Sequence, residues 1–83
     1  MNAVTQSRTF CIPDGKPVFS VNAGIPVNDA LEQAAILLRC LTRLAMNDRP
    51  KADDRNILQY LLEMTNALVD ASLAGIAESE QPA

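Results

Sequence analysis

The 83-residue chain has no histidine and no tryptophan, a single tyrosine, two phenylalanines and two cysteines. Without histidine it lacks the side chain most often used as a proton shuttle and metal ligand near neutral pH. Cys11 and Cys40 are too few for a disulfide framework and have no zinc-ligand spacing, so both read as free thiols in a reducing compartment. Cys40 lies among Leu37, Leu38, Leu41 and Leu44, which predicts a small buried hydrophobe. Three glycines and five prolines leave no room for a collagen-like or linker-like chain, and there is no Gly-rich phosphate loop or dinucleotide fingerprint. The longest unbroken apolar run is Ala34–Leu38, far short of the about 20 residues that cross a bilayer. Met1–Thr9 carries no apolar stretch of the kind a secretory leader needs, so a cytoplasmic location is expected, with no membrane partner.

Nucleophilic and acid–base chemistry is equally thin. Ser20, Thr42 and Ser72 have no base at hand in the sequence, and Glu32, Glu63 and Asp70 fall on helix faces expected to be solvated. Asp53 and Asp54 fit a helix cap better than a cation loop, which needs more ligands at wider spacing. No catalytic residue, metal site or cofactor is expected, and the chain is not expected to be an enzyme. Basic residues number 7 against 10 acidic, a net charge of −3, with a pI near 4.6. A nucleic-acid surface needs a basic surplus to neutralise phosphates, so that partner is disfavoured.

What is present is the composition of one folded domain: 48% apolar and 20% charged residues. Residues 1–8 read as a flexible lead-in and 78–83 as a flexible end, with a single domain over 9–77. Thr9–Ile12 and Pro17–Val21 alternate in a strand-like way around Pro13-Asp14-Gly15, a turn signature, which predicts a β-hairpin over 9–21. Asn28 as N-cap with Asp29 in the first turn opens a helix over 28–47. Leu31, Ala34, Ala35, Leu38, Leu41 and Ala45 form its apolar stripe, widened by Ala30, Leu37 and Leu44. Pro50 stops that helix, and Asp53 or Asp54 caps a second, over 54–77. Here Ile57, Leu61, Met64 and Leu68 make one stripe, and Leu58, Leu62, Val69, Leu73 and Ile76 another. Tyr60 falls at a core edge or a dimer seam.

The expected fold is therefore mainly α (α+β): an N-terminal β-hairpin followed by an antiparallel two-helix hairpin. Each helix is apolar over more than half its circumference, and a small chain cannot hide two stripes per helix. Pairing into a dimeric four-helix bundle is the simplest solution. The residues hardest to hide, and so the candidate interface, are Ile36, Leu58, Leu62, Val69 and Leu73. Arg39 and Arg43 form a candidate polar face for another protein. The functional expectation is a non-catalytic interaction or regulatory module that self-associates through apolar helix faces. Two alternatives remain open. One is a ribbon–helix–helix-like DNA-binding regulator or antitoxin-type partner protein, which shares the strand–helix–helix order. The other is a small-ligand binder using the space between hairpin and helices.

Two stretches carry a resemblance. Phe19, Val21, Gly24 and Pro26 form a Phe-x-Val-x-x-Gly-x-Pro lead into Asp29-Ala30-Leu31-x-x-Ala34, followed by the pair Leu37-Leu38. Farther on, Tyr60, Leu61, Glu63, Met64, Ala67, Leu68, Val69 and Asp70 give a Tyr-Leu-x-Glu-Met-x-x-Ala-Leu-Val-Asp pattern. In these residues the chain resembles a family of short pseudomonad proteins catalogued as domain of unknown function 3077, over about residues 10–77. The resemblance implies the strand-plus-two-helix architecture and a bacterial cytoplasmic setting. It implies no activity, cofactor or catalytic residue.

Overall fold

The computed structural model describes residues 2–12, 14–46 and 52–80. Two short strands, β1 (Arg8–Phe10) and β2 (Phe19–Val21), precede two helices, α1 (Val27–Ala45) and α2 (Ala52–Ser79). The strands pair antiparallel, with Arg8 opposite Val21, Thr9 opposite Ser20 and Phe10 opposite Phe19. This is the expected hairpin followed by two helices, with shorter strands. The reason lies at Cys11, whose φ of 58° ends the extended run before Ile12 can join it. The Cys11 carbonyl still accepts a 2.9 Å hydrogen bond from Val18 N–H and so closes the loop. Within the loop, Gly15 takes a φ of 80°, the left-handed conformation that a Pro-Asp-Gly turn needs; Pro13 itself lies outside the described residues.

The long helix α2 is the centre of the molecule: α1 packs along it, and the hairpin packs beside it. A connection of a few residues joins two helices in extensive contact, which makes them antiparallel. Leu31, early in α1, accordingly lines the same depression as Ile76, late in α2. The segment from Asn47 to Lys51, including the expected stop at Pro50, lies outside the described residues. Because α2 already begins at Ala52, Asp53 and Asp54 stand inside its first turn rather than before it.

Helix α1 opens one residue earlier than expected, and not on Asn28. The N-cap position belongs to Pro26, which offers no side-chain cap; its carbonyl instead accepts from Asp29 and Ala30 N–H. The N–H of Val27, which has no partner within the helix, donates to the carbonyl of Ala3 at 3.0 Å. An extended arm thus does the work of a capping side chain. Asp29 does occupy the first turn, and Arg43 the last, where the helix dipole favours each charge.

That arm is the main correction to the expected flexible lead-in. Val4 forms an antiparallel bridge with Pro26, and Gln6 N–H donates to the Ala71 carbonyl of α2. Thr5 is 1% exposed. Its backbone N–H donates to Ile25 O, and its carbonyl accepts from Gly24 N–H. Its hydroxyl donates to Asn22 O at 2.7 Å and accepts from Ile25 N–H at 3.1 Å. One threonine therefore fixes the loop between β2 and α1. Thr5→Val keeps the shape and removes both side-chain hydrogen bonds, to Asn22 O and from Ile25 N–H, in a part-buried site. The expected loss is about 2 kcal/mol, read as a lower urea midpoint at unchanged slope.

The core is thin and made of small residues. Buried apolar side chains are Val21, Val27, Ala30, Ala34, Leu41, Ala67 and Ala71, so a single leucine reaches full burial. On α1 the buried edge runs through Val27, Ala30, Ala34 and Leu41, while Leu31, Ala35, Leu38 and Ala45 of the expected stripe stay exposed. On α2 the buried edge follows the side of the first expected stripe, through Thr65, Ala67, Ala71, Ser72 and Gly75, with Leu61, Met64 and Leu68 half-buried beside them. The hydroxyls of Thr65 and Ser72 are satisfied by the carbonyls of Leu61 and Leu68, one turn back, both at 2.7 Å. Small residues here let backbones approach. A side chain on Gly75 would land on the Val4 carbonyl, so the arm crosses α2 where there is none.

Candidate functional site

Two surfaces stand out, and both arise because α2 is apolar over more than half its circumference while its neighbours cover only part of it. The first is a row on the helices. Leu62 and Leu73 are exposed at 50% and 58%, and Leu58 and Val69 between and before them are half-buried. Their spacing of four, seven and four residues holds all four on one side of α2. On α1, Leu31 and Leu38 are also exposed, one heptad apart. Since Leu31 sits beside Ile76, a heptad along each antiparallel helix brings Leu38 abreast of Val69. The row thus spans both helices. Leu31 and Leu38 are members that sequence reasoning placed in the apolar stripe of the first helix and not among the candidate interface residues.

Ile36 does not belong to this row. It is exposed, but it lines a separate cleft of about 420 Å³ with Phe10, Val21, Leu37, Met64 and Leu68, between α1 and the hairpin. The five candidate interface residues therefore fall on two faces, four on one and Ile36 on the other. Arg39 and Arg43 are exposed on α1, roughly opposite its buried edge. The side chains of Asp53 and Asp54 lie outside the described residues.

The second surface is a groove of about 520 Å³ between the hairpin and the first half of α2. Phe10 and Phe19, paired across the strands, stack with ring centroids 5.5 Å apart. Tyr60 and Met64 face them from α2, and Glu63 joins the lining. Ile12, Val18, Phe19 and Tyr60 are each between 49% and 59% exposed, so the groove is open. Glu63 was expected on a solvated face; it is half-buried here, because the hairpin lies alongside its turn of α2. Its proximity to the strands had no local signal in the sequence.

Cys40 is exposed, not buried as its leucine neighbours predicted, because it falls on the side of α1 away from Ala34 and Leu41. Cys11 is half-buried at the groove's edge. Among the described residues, no three His, Cys, Asp or Glu side chains come together as a metal site, and no helix is long and apolar enough to cross a membrane.

Comparison with known proteins gives one match. Residues 7–75 fit the family described as "Protein of unknown function (DUF3077)". No curated protein and no solved structure matches the chain. The chain belongs to the DUF3077 family, as the Phe-x-Val lead and the Tyr-Leu-x-Glu-Met helix implied.

Proposed function

We propose that this member of the DUF3077 family is a non-catalytic interaction module that works as a homodimer in the cytoplasm. In this reading the two helices of each copy pair into a four-helix bundle. The observation that supports it best is the amount of surface left over. The accessible surface is 6147 Å². A compact monomer of 9.0 kDa has about 4,850 Å², so the excess is about 1,300 Å². A standard interface buries roughly 800 Å² on each partner, which the excess accommodates. The shape agrees: the Cα extents are 52 × 29 × 14 Å, a flattened slab. Domains bury their apolar faces between at least two layers, and a second copy supplies the second layer.

Two-fold symmetry places the row of Leu31, Leu38, Leu62, Val69 and Leu73 against itself, so each leucine meets an apolar neighbour. Arg39 and Arg43 lie away from that row and stay free to meet an acidic surface of another protein. The acidic balance of the chain argues against wide contact with nucleic acid. Light scattering coupled to size exclusion, over a concentration series, tests the reading. The expected mass is twice 9.0 kDa at micromolar concentration. A mass of one chain throughout overturns it.

A further inference from the structure

We infer that the groove between the hairpin and α2 binds a small organic cation, an ammonium group carried on an apolar body. The chain has only three aromatic residues, Phe10, Phe19 and Tyr60, and the fold brings all three to this groove. The two phenylalanines come from the paired strands of the hairpin, and Tyr60 comes from α2, distant from both in sequence. The stacked pair of Phe10 and Phe19 forms one wall. Tyr60, at the facing turn of α2, forms the other, with Met64 below it. Aromatic faces carry partial negative charge and attract cations that shed part of their water.

Among the described residues lining the groove, Glu63 is the one charged group. A lone carboxylate beside aromatic rings, with no basic side chain among the described residues of the lining, sets the sign of the ligand. An anion would be repelled by Glu63, and a neutral apolar molecule would gain nothing from its charge. An ammonium satisfies both the rings and the carboxylate, and the net charge of −3 favours its approach. The volume of about 520 Å³ suits a body the size of an arylalkyl group. The groove uses Tyr60, Glu63 and Met64 of α2, none of them in the Leu62–Leu73 row. Binding here is therefore independent of self-association.

The test is a titration of the full-length chain with 2-phenylethylammonium and, separately, with its neutral counterpart 2-phenylethanol, followed by backbone amide chemical shifts. The ammonium is expected to bind with a dissociation constant of about 1 mM or below. It should bind roughly fivefold more tightly than the alcohol, with shifts centred on Phe10, Phe19, Tyr60 and Glu63. Glu63→Gln should bring the two probes within about twofold of one another, and Tyr60→Ala should weaken the ammonium roughly fivefold. Equal affinity of both probes for the unmodified chain overturns the assignment. So do shifts that map away from the groove, or no saturable binding by about 10 mM ammonium. The comparison of probes in the unmodified chain stands even where a variant fails to fold. The mass of the protein, measured separately, reports on the homodimer alone.

Discussion

Gly75→Ala is expected to destabilise the chain by roughly 2 kcal/mol, although alanine is the better helix former by about 1 kcal/mol. The added methyl would fall on the Val4 carbonyl and crowd the Thr5 backbone. Those atoms cannot step aside cheaply, since the arm is fixed at both ends. Val4 is bridged to Pro26, Thr5 is buried among four hydrogen bonds, and Gln6 is bonded to α2. Either the arm lifts away and forfeits that network, or α2 shifts and opens the small-residue core. In a domain of this size the loss lowers the melting temperature by about 10 °C. Amide protection at Thr5 and Gly24 should fall before that of α2. In a chain shortened to begin at Ser7, the same substitution should reverse sign and stabilise by about 1 kcal/mol, because only helix propensity is left. A raised melting temperature in the full-length chain would sink the account of the arm.

Leu62→Asp carries the second large effect, and it separates association from folding. In one copy Leu62 is 50% exposed, so an aspartate there touches water and changes the stability of the isolated fold by less than about 0.5 kcal/mol. In a symmetric dimer the same change places an unpaired carboxylate in an apolar seam twice over. At about 2 kcal/mol per copy the dissociation constant rises by roughly a thousandfold. The expected result is a mass of one chain with helical circular dichroism retained. Leu73→Asp, three turns along the same side of α2, should behave alike. Ile36→Asp should leave the mass unchanged, because Ile36 lines the other cleft. A dimer that survives both leucine substitutions would show that the row is not the seam.

Sequence by itself determined the order and type of the elements. The reason is local: period-2 alternation around a Pro-Asp-Gly turn permits little but a hairpin, and sustained 3.6-residue periodicity over two stretches permits little but helices. It also determined the surplus of apolar surface, since composition and length fix how much an 83-residue chain can bury. Which apolar residues form the surplus was decided by the tertiary structure alone. Periodicity names several adjacent stripes on each helix but not the one that meets a neighbour. Here the closest approach selected small residues, Ala34, Ala67, Ala71 and Gly75, and turned Leu31, Leu38 and Cys40 outward. The arm was invisible for a related reason. Thr5 lies in a polar, aperiodic stretch, and its burial depends on backbone partners 17 and 20 residues away. The groove is likewise a product of tertiary structure, because no local pattern places Phe10, Phe19 and Tyr60 together. That juxtaposition exists only once the hairpin has chosen the side of α2 on which to lie.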